Sequence, residues 1–180
     1  MSNGNRRAPA PWLAAVLGGL ASAVAGPLPA QPPAAPKPCA TAEHRQFDFW
    51  LGEWEVRTPD GKRAGANTIR RTLGGCVLQE NWRGAGGHIG TSYNIYDASR
   101  RRWHQTWVDD QGLLLQLDGT FTDGRMILVG ETVDSTGTRV KQRITWERLE
   151  GGKVRQRWES SPDGEGWKVE FEGIYSHTRS

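Results

Sequence analysis

Three segments of the chain repeat one chemical pairing: Gln105-Thr106-Trp107, Gln142-Arg143-Ile144-Thr145-Trp146 and Gln156-Arg157-Trp158. In each, an uncharged amide and an indole stand an even number of residues apart. In an extended strand, even spacing places both side chains on the same face. Glu80 and Trp82 repeat the pattern with a carboxylate in place of the amide. A dry core has little use for buried amides, since each unpaired one costs about 1–3 kcal/mol. A partly hydrated cavity can use them. Its rings cover the apolar or ring-shaped faces of a small molecule, and its amides orient the polar atoms. Glu80, Trp82, Gln105, Trp107, Gln142, Trp146, Gln156 and Trp158 are therefore the expected contacts of a small amphipathic ligand. The alternative is a structural or partner-binding module with a packed interior, whose amides bond one another or ordered water and whose function lies on the Gly84-Ala85-Gly86-Gly87 loop or the outer charged face.

Within this set Glu80 alone has acid–base potential. A carboxylate held among aromatic rings has a raised pKa and can give or take a proton. A hydrogen bond from an arginine such as Arg71 would instead make it structural. We expect a ligand-orienting or structural role, assign no catalytic residue, and keep an enzyme using Glu80 as the alternative. Asp109 shares parity with Gln105 and Trp107 but stands at a strand end, which places it at a rim or turn. The four histidines do not cluster, and no spacing resembles a zinc site. His44 falls in a helical turn, His88 in a Gly-rich loop and His104 on the face opposite Gln105. His177 continues the inward parity of Phe171, Gly173 and Tyr175, where a late histidine ligates iron in haem-binding barrels of the nitrobindin type. One such residue does not carry a haem assignment, so no cofactor and no metal are expected. A Gly-x-Ser-x-Gly elbow and a phosphate loop are both missing from the sequence.

The elements that position these residues are set by the turns. Nine turn signals, from Pro59-Asp60-Gly61 to Pro162-Asp163-Gly164, recur along the chain with no long helical pattern between them. They predict about ten strands in an all-β antiparallel meander. A sheet of that many strands closes on itself, which removes its exposed edges. Alternation supports a barrel wall with a lined interior. Val140, Gln142, Ile144 and Trp146 oppose Arg139, Lys141, Arg143 and Glu147; Val154, Gln156 and Trp158 oppose Lys153, Arg155, Arg157 and Glu159. Trp167, Val169, Phe171, Gly173 and Tyr175 read as a third inward row. The stretch Met126 to Val133 fits neither parity. Thr41 to Leu51 is the helical candidate, and Phe47, Trp50 and Leu51 would plug one end of the barrel.

Upstream, Arg6 and Arg7 precede an uncharged run from Trp12 to Ala25. That run is shorter than the roughly 20 apolar residues a membrane span needs and suits a secretory signal. We expect a signal peptide over 1–30, a Pro-rich spacer over 31–38 and one barrel domain over 39–180, exported to the periplasm or beyond as a monomer. Removing Arg6 and Arg7 takes the net charge from +3 to +1, too little for a nucleic-acid partner. Arg100-Arg101-Arg102 then reads as a solvated turn. In an oxidising compartment Cys39 and Cys76 read as a disulfide, closing a loop of 37 residues. Such a link is worth roughly 3–4 kcal/mol on a loop-entropy basis.

The block Phe47-Asp48-Phe49-Trp50-Leu51-Gly52-Glu53-Trp54 resembles the calycin pattern of lipocalin and fatty-acid-binding barrels, where a Gly-x-Trp enters the first strand. The resemblance gives Trp54 a structural place across the barrel floor. More closely, the chain is similar to an uncharacterised family of secreted bacterial proteins. The similarity runs through Cys39, His44 to Trp54, Gly75 to Trp82, Tyr93 to Asp97 and Trp103 to Asp109. It implies a β-barrel and no particular activity.

Overall fold

The computed structural model describes residues 37–178. The expected signal peptide, and the expected spacer up to residue 36, lie outside the described residues. Ten strands form: β1 (Gly52–Arg57), β2 (Arg63–Thr72), β3 (Val77–Gly84), β4 (Ile89–Asp97), β5 (Arg102–Asp109), β6 (Leu114–Thr122), β7 (Arg125–Val133), β8 (Arg139–Arg148), β9 (Val154–Ser161) and β10 (Lys168–His177). Each pairs antiparallel with its neighbours in sequence, and β1 pairs with β10 to close an up-and-down barrel. This is the architecture that the calycin likeness implies. Among the described residues no helix is long and apolar enough to cross a membrane.

Turn chemistry sets the meander. Between β6 and β7 the connection is Asp123-Gly124, with φ of 51° and 77°. Left-handed backbone at both positions gives the hairpin a twist that matches its strands, and Asp-Gly tolerates it. Alternation then sorts the faces. In β8, Gln142, Ile144 and Trp146 are buried while Arg139 and Lys141 stand in solvent. In β7, whose facing the sequence left open, Met126 and Leu128 are fully buried and Val129 and Val133 point out.

In β10 the expected parity fails partway. The register slips between Val169 and Phe171, so Glu170 is an extra residue against β9. Phe171, Gly173 and Tyr175 face inward as expected. Val169 pairs with Glu159 on the outside, and Trp167 lies 4.0 Å below the guanidinium of the outward Arg143. A bulge adds one residue to one strand and re-aims the side chains beyond it, which alternation alone cannot register.

The segment expected to be a helical turn is two separate 3-10 turns, Glu43–Arg45 and Asp48–Trp50. Together they plug one end. Phe47 and Trp50 are fully buried, stacked with ring centroids 4.9 Å apart. Phe47 also meets Trp103 and Trp146 edge-on, at 5.6 and 5.1 Å. The Trp54 indole donates to the Trp50 carbonyl at 3.0 Å, and Trp103 to Gln46 Oε1 at 3.2 Å. Each buried ring contributes on the order of 2–3 kcal/mol, which holds an irregular segment that has little backbone pairing of its own. Covalent and ionic ties fasten the same segment. Cys39 and Cys76 are disulfide-bonded, and Arg71 pairs with Asp48 while donating to the Gly75 carbonyl.

Candidate functional site

Above the floor of packed rings lies a belt of polar side chains. Glu80 on β3 accepts hydrogen bonds from Asn67 Nδ2 at 2.7 Å and Ser92 Oγ at 2.6 Å. Asn94 donates to Ser92 Oγ at 2.9 Å, and Gln105 Nε2 donates to Asn94 Oδ1 at 2.9 Å. On the other side the Tyr175 hydroxyl donates to Gln156 Oε1. The belt thus runs through β2, β3, β4, β5, β9 and β10. Register explains it: Glu80 stands opposite Ser92 in β4, and Asn94 stands opposite Gln105 in β5. Arg71, the arginine considered as a donor to Glu80, is engaged with Asp48 and Gly75 instead. Glu80 therefore has neutral hydrogen-bonding partners only.

That environment decides its acidity. Burial pushes the Glu80 carboxyl up to about 7, against the lowering effect of the bonds from Ser92 and Asn67. Burial, reinforced by the nearby Glu80, also pushes the Tyr175 phenol well above its ordinary value, so it stays a neutral donor.

Beyond the belt is a cavity of about 260 Å³. Trp82, Trp107 and Trp158 wall it, with Phe171 and Ile144; Glu80, Gln105, Gln156 and Tyr175 supply the belt side. Asp109, His88 and Glu170 stand along the rest of the lining. Two glycines make room for the indoles. A Cβ at Gly90 would come within 2.2 Å of the Trp107 ring, and one at Gly65 within 2.8 Å of the Trp82 ring. The rings lie against the wall because the neighbouring strands carry no side chain there.

Of the eight residues expected to contact a ligand, six line this cavity: Glu80, Trp82, Gln105, Trp107, Gln156 and Trp158. Gln142 stands behind the wall. It accepts the Trp158 indole N–H at 2.7 Å and donates to Thr132 Oγ1 at 2.9 Å, which fixes the angle of that ring. Trp146 is fully buried in the floor against Phe47 and Trp50. Trp54 closes the floor below it. His177 is exposed and stacks on Trp54 with centroids 3.8 Å apart, away from the cavity lining, so the haem alternative has no ligand there. His104 faces out and meets Asp118 at 2.9 Å. His88, expected in a loop, reaches the cavity mouth, with Nε2 3.6 Å from Asp109.

Sequence reading missed Asn67, Ser92, Asn94 and Tyr175 as partners in the belt. The signal was present: Gly65, Asn67 and Ile69 alternate, as do Gly90, Ser92, Asn94 and Tyr96. Glu170 gave no such signal. Among the described residues no group of three His, Cys, Asp or Glu side chains is placed to hold a metal ion. No family model matches the chain, and no curated protein matches it.

Proposed function

We propose that this protein is an exported carrier that binds one small amphipathic molecule inside its barrel. The carrying observation is the cavity of about 260 Å³, walled by Trp82, Trp107 and Trp158 and bounded by a hydrogen-bonded polar belt. Flat aromatic walls with a few fixed polar atoms suit a ligand that is partly apolar and partly hydrogen-bonding. A disulfide between Cys39 and Cys76 fits an oxidising compartment, in keeping with the leader-like start of the chain. The likeness of Phe47 to Trp54 to a family of secreted bacterial barrels supports the same reading.

Native mass spectrometry of the protein recovered from its own host's export compartment tests the proposal. A reproducible added mass, lost in a Trp158→Ala variant that stays folded, is the expected result. A bare protein mass together with no response to a panel of small amphipathic compounds would remove it.

A second reading rests on one specific observation. Glu80 lines the cavity with its carboxyl at about 7, the range in which a group exchanges protons efficiently near neutral pH. An enzyme using Glu80 as acid or base predicts that Glu80→Gln abolishes turnover and retains binding. Unaltered turnover in that variant eliminates the assignment.

A further inference from the structure

We propose that the ligand is an organic cation, a small amine or quaternary ammonium carried on an apolar body; this rests on the binding reading above and names its substrate class. Three features of the cavity select that charge.

The first is the inventory of charged groups. Glu80, Asp109 and Glu170 all line the cavity, and among the described residues no lysine or arginine does. Burial acts to raise Asp109, but the Leu113 backbone, the Trp107 indole and the Gln111 backbone hold it below its ordinary value. Glu170 is likewise held down, by the Ser160 hydroxyl and by Lys168, whose ammonium lies 3.2 Å away and is largely solvent-exposed. Both therefore carry negative charge at neutral pH. Among the described residues His88 is the only basic side chain at the lining, and its two nitrogens already lie 3.6 Å from Asp109 and 2.5 Å from Asp110.

The second is the balance of donors and acceptors. The Tyr175 hydroxyl proton is committed to Gln156, the Trp158 N–H to Gln142 and the Trp107 N–H to Asp109. Gln105 is 2 % exposed and spends its amide nitrogen on Asn94 and Ser92; its Oε1 has no partner among the described residues. Gln105 Oε1 and the carboxylates of Asp109 and Glu170 can accept from an ammonium group, while Gln156 Nε2 and Trp82 Nε1, which have no partner among the described residues, remain as donors at the wall. A carboxylate or phosphate would meet the like charge of Asp109 and Glu170.

The third is the aromatic faces. Elsewhere this fold covers half-buried rings with its own cations: Arg143 lies 4.0 Å from the Trp167 centroid and Arg148 4.9 Å from that of Phe49. Trp82, Trp107 and Trp158 have no such cover among the described residues. Indole faces attract a desolvated cation through the ring quadrupole, and several around one void form a cage for ammonium groups.

Three probes of nearly equal size and different charge provide the test: phenethylammonium, 2-phenylethanol and phenylacetate. Each is titrated into the disulfide-bonded protein, followed by tryptophan fluorescence and calorimetry. Phenethylammonium is expected to bind at least tenfold tighter than the alcohol, with phenylacetate weakest. Glu170→Gln is expected to weaken the amine several-fold and leave the alcohol unchanged. If the alcohol or the acid binds as tightly as the amine, the charge assignment is overturned and the binding reading survives. If none of the three binds, the charge assignment is overturned, and the binding reading is decided separately by the native mass and the wider panel.

Discussion

The two ends of the barrel are built from the same residue type and behave as opposites. At the plugged end Phe47, Trp50, Trp103 and Trp146 pack ring on ring, Trp54 donates to the Trp50 carbonyl beside them, and every one of the five is at most 1 % exposed. At the open end Trp82, Trp107 and Trp158 face a void and are only partly buried. Aromatic content does not make a pocket; what a ring meets on its far side does. At the floor the plug segment supplies that neighbour. At the mouth, glycines at 65 and 90 keep the wall thin, and none of the described residues fills the space. The floor therefore carries stability, and the mouth leaves aromatic surface uncovered by the described residues.

The sharpest way to break this contrast is to truncate one tryptophan at each end. Trp146→Ala removes a fully buried ring from the floor and is expected to cost about 3–5 kcal/mol in denaturant unfolding. Trp158→Ala borders an existing void, so its cost is expected to be about 1 kcal/mol, with ligand affinity lost instead. Equal destabilisation by the two would collapse the distinction. Next in size is the tie that holds the plug. Cys39→Ser, or reduction, is expected to lower stability by roughly 3 kcal/mol while a mouth ligand still binds. Loss of binding at matched stability would show that the two ends are coupled.

Between floor and mouth, the belt should carry a pH signature. Glu80 rises from an ordinary 4.5 to about 7 in the folded protein, so the fold binds its proton more tightly than the unfolded chain does. Its contribution is full below 4.5, falls as pH rises through 7, and is flat above, a swing on the order of 3 kcal/mol. The difference between wild type and Glu80→Gln, measured by urea unfolding from pH 5 to 8, should show that fall; a flat difference removes the raised acidity. Gly90→Ala alters the wall without removing any ring. Its Cβ would meet the Trp107 ring at 2.2 Å, costing about 1–3 kcal/mol and tilting that ring into the cavity. Affinity for a ligand that fills the cavity should drop more than affinity for a smaller one.

How much of this was legible in the sequence depends on which coordinate is asked for. Parity gives the face of the wall, and for Gln105, Trp107, Gln156 and Trp158 it gave the right one. It carries nothing about height along the barrel. Trp146 and Trp158 have equally good inward parity, yet one lies in the floor and the other at the mouth. Height comes from strand tilt and stagger, which depend on all ten strands together. The belt was hidden for a related reason. Asn67, Glu80, Ser92 and Gln105 lie on four different strands, and only cross-strand register makes them one network. The plug was readable because Phe47 to Trp54 is a continuous block, though its backbone takes 3-10 turns to let Phe47 and Trp50 enter the same core. Glu170 defeated the reading altogether, because parity counts residues and a bulge changes the count.

That bulge has a consequence for how barrels of this kind diverge. Lys168 and Val169 pair with Ser160 and Glu159, and Phe171 pairs with the next residue of β9, Trp158, so Glu170 has no partner across the strand. Glu170 is therefore a detachable insertion. A one-codon deletion would strip a carboxylate from the cavity and leave the facing of the rest of β10 unchanged, whereas a deletion elsewhere in the strand would invert it. The electrostatic character of the interior can thus be edited by chain length alone, at one position, without substituting any wall residue.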